Sequence, residues 1–250
     1  ILAIQDTTEL NYQSKINRIQ GLGPVGNGQT HGIYLHAMIA VDSEENTCIG
    51  LASVNSWVRT EIKKKTKGNI YRKQLIEDKE SYRWIEAANQ AKRVLENASE
   101  ITIIADRESD IYEEWCRVPD KKTHLLTRAC QNRLLSDDQK LFEHVDSLEV
   151  RSIQELDVRD KKGERTGRLD KLELRFDELE IKRPPKCTDK NASPTITLRV
   201  VDVRESPESI PDGEKGIHWC LLTTHEVDTI DEALLIVRWY SQRWHIEQFF

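Results

Sequence analysis

The absences in this sequence narrow it first. No apolar run approaches the roughly 20 residues that a membrane-spanning helix requires, and no signal-peptide pattern opens the chain. The five cysteines, Cys48, Cys116, Cys130, Cys187 and Cys220, are odd in number, far apart and never in a Cys-x-x-Cys pair. That argues for free thiols in a reducing compartment, and against a disulfide framework or a structural zinc site. Seven histidines are scattered, and none belongs to a His-Glu-x-x-His pattern. There is no internal repeat and no low-complexity segment.

What is present is a charged chain of 250 residues, 32% of them Asp, Glu, Lys or Arg, long enough for one large domain or a domain with a sizeable insertion. A net charge of −6 is mildly unfavourable for a general nucleic-acid binder without excluding one. Trp57 to Lys73 is locally basic, which suits either a solvated loop or phosphate contact. The chain opens on an apolar strand without methionine and closes inside a helix, so it reads as a piece of a longer protein.

Periodicity then supplies elements. Ile1, Leu2 and Ile4 begin a buried strand, and GIYLHAMIAVDS and CIGLASVNSWV read as a hairpin around a turn-rich stretch, giving a three-strand meander. From about Asp78 to Asn97 the pattern turns helical, with Trp84, Ile85, Ala88, Ala91 and Leu95 on one stripe. ITIIA (Ile101 to Ala105) is a short, fully apolar strand, followed by a helix-like segment stopped by Pro119 and a strand at HLLTRA. The spacing therefore predicts an α/β fold with a mixed sheet: a first part at 1–130, a β-rich insertion at 131–216 and a return strand and helix at 217–250. The insertion rests on the alternation in LDKLELRFDELEI and TITLRVVDV. Thr229 and Glu232 form a capping-box pattern ahead of the last helix.

Two aspartates share a local context, since Asp6 follows ILAIQ and Asp106 follows ITIIA. Each stands at the C-terminal end of an apolar strand, where crevices of α/β sheets bind ligands. No basic residue adjoins Asp6 in sequence. Converging carboxylates without cations repel, and divalent ions relieve this. Hard oxygen ligands favour Mg²⁺ or Mn²⁺. On a continuous final helix Tyr240, Arg243 and Glu247 project along one polar stripe beside an apolar stripe of Leu235, Trp239, Ile246 and Phe250. Glu247 is then a third carboxylate, and Tyr240 and Arg243 suit phosphate oxygens. Taken singly, each aspartate is also a common turn former or N-cap, and Glu247 pairs readily with Arg243 at i, i+4.

Asp6 in IQDTT, Asp106 in ADRESDIY, and Tyr240-x-x-Arg243-x-x-x-Glu247 in YSQRWHIEQF resemble, in order, the three acidic motifs of DDE transposases of the insertion-sequence-four family, the group that includes the transposon-five transposase. The family signature ends in a lysine, whose position falls beyond Phe250. KESYRW (Lys79 to Trp84) also looks like a helix start in that family, and the resemblance spans nearly the whole chain.

The resemblance implies an RNase H-like fold with an antiparallel β insertion before the last catalytic helix. It implies a catalytic triad of Asp6, Asp106 and Glu247 holding two Mg²⁺ ions, with Mn²⁺ also effective. The activity would be strand cleavage at transposon ends, hairpin formation and joining to target DNA. It further implies double-stranded DNA as partner, a homodimer in the full-length synaptic complex, and a cytoplasmic, nucleoid-associated setting of prokaryotic type. Arg128 in LLTRA looks like the family's DNA-contacting strand arginine. Trp219 in HWCLLTT looks like its base-stacking tryptophan, although a Trp beginning a buried strand is also ordinary core. His36, His124 and His245 read as structural or surface residues, and Cys130 and Cys220 as buried small hydrophobes. A metal-dependent nuclease that does not join DNA, and a catalytically silent DNA-binding or inhibitory relative, are the alternatives.

Overall fold

In the computed structural model, residues 1–59, 74–158 and 167–250 are described, so most of the basic stretch and the KKGE turn at 161–164 lie outside the described residues. The strands are β1 (Leu2–Asn11), β2 (Gly23–Val25), β3 (Thr30–Val41), β4 (Cys48–Trp57), β5 (Ile101–Ala105), β6 (Thr123–Arg128), β7 (Ser152–Val158), β8 (Arg168–Lys182), β9 (Thr195–Glu205) and β10 (His218–Thr223). The helices are α1 (Tyr82–Val94), α2 (Tyr112–Arg117), α3 (Leu141–Ser147), α4 (Ile230–Ser241) and α5 (Trp244–Phe249).

All these strands share one mixed sheet in the order β2-β3-β1-β5-β6-β10-β9-β8-β7, with β4 also paired to β3. β1, β5 and β6 run parallel, β5 and β6 each reached through a helical crossover, while the other pairings are antiparallel. β10 pairs with β6 on one side and β9 on the other, so the half-exposed strands of the second half continue the same sheet.

The unbroken apolar runs follow from helices covering both sheet faces. Ala3, Met38, Ile103 and Leu125 face a core shared with Ile85 and Ala88 of α1 and Tyr112 and Trp115 of α2. The residues between them, Leu2, Ile4, Ile39, Ile104 and Leu126, face a second core capped by Ala233, Ile236 and Tyr240 of α4 and Ile246 of α5. All five residues of β5 are buried, which is why ITIIA shows no alternation. Each such Ile or Leu contributes about 1.5–3 kcal/mol of transfer free energy.

Three elements differ from the sequence expectation. β2 emerges inside the Gly-, Asn- and Gln-rich loop, and α3 lies in a stretch read as strand only, its buried Leu141 and Val145 spaced i, i+4. The last helix is not continuous. α4 begins with the expected capping box, Thr229 accepting from the Glu232 N–H. It then tightens through Gln242 and Arg243, where the Arg243 N–H bonds Tyr240 O at 3.0 Å and the His245 N–H bonds Gln242 O at 3.0 Å. Those i→i+3 bonds rotate the stripe. Leu235 and Phe250 are exposed, and the buried stripe is Ala233, Ile236, Tyr240 and Ile246. Cys220 is buried, whereas Cys130 is exposed, its Sγ 3.2 Å from Arg107 O.

Candidate functional site at the strand ends

Strand parity decides which way the candidate residues face. In the parallel β1–β5 pair Ile4 lies opposite Ile104, so Asp6 and Asp106, each two residues further on, sit at matching heights just past that pairing. Asp106 follows the end of β5, but Asp6, expected at a strand end, lies mid-strand, because β1 runs on to Asn11 against β3. Alternation puts both on the face of Leu2, Ile4 and Ile104, the face that α4 and α5 cover. Arg128 ends β6 with the parity of Leu126, and Trp219, near the start of antiparallel β10, has that of Leu221. Asp6, Asp106, Arg128 and Trp219 therefore share the sheet face that α4 and α5 cover.

Asp6 is partly buried. Its Oδ1 accepts from the Thr7 N–H at 2.7 Å and its Oδ2 from Arg243 Nη1 at 3.1 Å. Burial, with Asp106 and Glu108 adding repulsion against the Thr7 and Arg243 contacts, pushes its carboxyl up to about 6. Asp106 caps the short 3-10 turn Arg107–Ser109, its Oδ1 accepting from the Glu108 N–H at 2.8 Å. Glu247, in the first turn of α5, is exposed and ion-paired to Arg243 Nη2 at i, i+4. One guanidinium thus joins Asp6 to Glu247. This corrects the expectation that Asp6 lacks a cation. Sequence neighbours gave no hint of a partner 237 residues away.

Tyr240 does not share an exposed stripe with Arg243 and Glu247. The tightened turn leaves its ring in the core, 4% exposed and edge-on to Trp219 at 5.2 Å between centroids. Burial pushes its phenol up, while Arg243 and Arg128 draw it down. Trp219 is half-buried, and Arg128 Nη2 donates to His218 O at 2.6 Å.

Several polar residues that motif reading passed over support this end of the sheet. Arg83 of α1 donates through Nε to Thr7 Oγ1 at 2.9 Å and through Nη2 to Glu108 at 2.6 Å, bridging the segments after both aspartates. On the opposite face Gln5 donates to Glu114 Oε1 at 3.3 Å and faces His36 Nε2 at 3.2 Å. Ser109 Oγ donates to Glu114 Oε2 at 2.6 Å. Burial pushes Glu114 up to about 8 and His36 down to about 3, so at neutral pH this chain of groups is largely uncharged. Glu114 sits where helical spacing alone reads an ordinary surface acid. Beside Asp106 an open cleft of about 670 Å³ is lined by Arg59, Arg83, Arg107, Glu108 and Gln131, among others.

Asp6 carries a pH signature. The folded metal-free protein holds a proton at Asp6 that the unfolded chain releases near 3.8. The stability this supplies is complete below about pH 4 and is lost as pH rises through about 6. Asp6→Asn keeps a hydrogen-bond acceptor without the charge. Urea melts without divalent ions should show wild type losing on the order of 2 kcal/mol relative to Asp6→Asn between pH 4.5 and 7.5. A pH-independent difference between the two proteins would refute the assignment.

The fold and the site define an α/β protein with a large mixed sheet and a carboxylate-rich strand end. Among the described residues no helix is long and apolar enough to cross a membrane. No known protein-family model matches the chain. Among solved structures, the chain is similar to a cryo-EM structure of a piggyBac transposase synaptic complex with hairpin DNA, at a TM-score of 0.49 and 11% identity. The match covers 99% of this chain and 39% of that one.

Proposed function

We propose that this chain is the catalytic core of a DDE-type DNA transposase of the insertion-sequence-four kind, acting on double-stranded DNA by metal-dependent phosphoryl transfer. One observation carries the reading. Asp6 and Asp106, at matching heights on adjacent parallel strands, face the turn where Arg243 links Asp6 to Glu247. Motifs a hundred or more residues apart thus lie on one face of the sheet, linked through Arg243, which supports the order that the resemblance implies. The strand order β4-β3-β1-β5-β6, with only β1, β5 and β6 parallel, agrees with an RNase H-like sheet.

Asp6, Asp106 and Glu247 do not bring their carboxylate oxygens within 4.8 Å of one another as they stand, so holding Mg²⁺ or Mn²⁺ would require Glu247 to swing in from its pairing with Arg243. Asp6 would exchange its contact with Arg243 for a divalent ion, Asp106 uses one oxygen as a cap and keeps the other, and Glu247 is exposed enough to turn inward. Bound there, the ions would supply an activated water or 3′-hydroxyl and stabilise the leaving oxygen. Arg243, released from the carboxylates, and Arg128 would bind phosphate oxygens beside the cut. Tyr240 would act through Arg243, since its ring is buried. Trp219, braced edge-on by Tyr240, would offer its half-buried face to an unstacked base.

The test is strand transfer by the full-length protein with Mg²⁺ and DNA carrying pre-cut transposon ends. Joined product is expected, with a hairpin intermediate when uncut ends are supplied. Hydrolysis without joining would replace the proposal by the nuclease reading. DNA binding with neither reaction would replace it by the silent relative.

A further inference from the structure

Further along the same sheet face lies a cluster that the proposed function leaves unused. Glu100 immediately precedes β5, His124 is the second residue of β6, and His225 follows β10 in the loop leading into α4. One ligand atom from each lies within 4.8 Å of the other two. The imidazoles of His124 and His225 are stacked, with centroids 3.9 Å apart and planes 17° from parallel. His124 Nε2 lies 3.8 Å from Glu100 Oε2. The positions 100, 124 and 225 share no motif spacing, and the case against zinc made from the cysteines did not bear on them.

We infer that Glu100, His124 and His225 form a second metal site, one that takes Zn²⁺ or a similar borderline transition ion rather than Mg²⁺. Two imidazoles and one carboxylate are a common zinc donor set, whereas Mg²⁺ selects all-oxygen ligation. The surrounding hydrogen bonds support it. His124 Nδ1 faces Thr224 O at 3.4 Å, and a proton held there would leave the Nε2 lone pair free for a metal. His225 Nε2 lies 2.8 Å from the hydroxyl of buried Thr102, which sets the plane of that ring. Outer partners of this kind orient metal-binding histidines. Tetrahedral ligation at about 2.0–2.2 Å places ligand atoms roughly 3.3–3.6 Å apart. Closing from the present separations needs exposed Glu100 to shift and the stacked imidazoles to splay so that their in-plane lone pairs converge, a movement open to the half-buried His124.

The site would be a clamp. It ties the starts of β5 and β6 to the loop entering α4, and Trp239 of α4 already lies 5.1 Å from the His225 ring. Its distance from Asp106 keeps it separate: Thr102 to Asp106 spans about 13 Å along an extended strand.

The experiment is Zn²⁺ binding by calorimetry and Co²⁺ binding by absorption on the 250-residue chain, in wild type and two sets of variants. His225→Ala is avoided because the residue is buried. His124→Ala removes a half-buried ligand and Glu100→Gln an exposed one. The control is Asp6→Asn/Asp106→Asn/Glu247→Gln. Expected are one Zn²⁺ equivalent retained by the control, lost in His124→Ala and weakened about tenfold or more by Glu100→Gln. A tetrahedral Co²⁺ spectrum should follow the same pattern. Melting temperature should rise by about 5–10 °C at hundredfold excess of Zn²⁺ over its Kd, in wild type and control but not in His124→Ala. Loss of the zinc equivalent in the control, its persistence in His124→Ala, or no bound equivalent in wild type would each overturn the inference.

Discussion

Asp106→Asn is expected to lower metal-dependent strand cleavage by about three orders of magnitude while leaving the fold unchanged. The estimate follows from losing several kcal/mol of transition-state charge stabilisation at about 1.4 kcal/mol per tenfold. Asparagine separates the two roles that this position can play. It accepts the Glu108 N–H as well as aspartate does, so the cap on the 3-10 turn survives. Only the negative charge is lost. Asp106→Ala removes both, and should cost a further 1 kcal/mol or so of stability. Cleavage is read with the full-length protein, and stability from denaturant melts of each variant. Full cleavage by Asp106→Asn, with destabilisation by Asp106→Ala, would reduce Asp106 to a cap and remove it from the chemistry.

The second large effect is structural. Asp110 accepts from Arg133 Nε at 2.9 Å and Nη2 at 2.5 Å, and from the backbone N–H groups of Cys130 and Gln131, both at 2.8 Å. Both side chains are buried, at 0% and 5% exposure, and the Arg133 guanidinium lies 4.6 Å from the Trp115 ring centre. Asp110→Ala strands a buried guanidinium and two N–H donors, and should cost about 3–5 kcal/mol. Adding Arg133→Ala should recover part of that loss, because the stranded charge goes with it. Double-mutant melts measure this. Equal destabilisation by the single and double variants would mean the pair is not coupled. The pair also locks the segment after Asp106 to the chain that follows β6, so cleavage should fall with stability in Asp110→Ala.

The parts legible from the sequence were those set by local pattern. ITIIA, the helix carrying Trp84 and Ala88, and the Thr229–Glu232 cap are each written in consecutive residues, and the structure places them as the pattern predicts. α3 was hidden because its two buried residues, Leu141 and Val145, are too few to beat the surrounding alternation. The break after α4 was hidden because no Gly or Pro marks it, the i→i+3 bonds at Gln242 and Arg243 being a tertiary outcome. Of the site, the position of Asp106 just after β5 followed from its apolar run, whereas Asp6 lies mid-strand because β1 continues through polar residues to Asn11 against β3. Their environment did not follow: the Arg243–Asp6 contact, the Arg83 bridge and the uncharged chain through Gln5 and Glu114 join residues 76 to 237 positions apart. No window of sequence contains them.

The Asp6–Arg243–Glu247 link has a further consequence. The guanidinium behaves as a resident counter-ion, offsetting part of the repulsion among three carboxylates before any other cation arrives. On the proposed function, a divalent ion at Asp6 would compete with it, so loading the site and freeing an arginine would become one coupled exchange. An ion held by Asp106 alone would leave the arginine seated. On the proposed function, the protein would grip DNA phosphates with Arg243 only after its carboxylates had been neutralised by metal, an order of assembly that one side chain imposes.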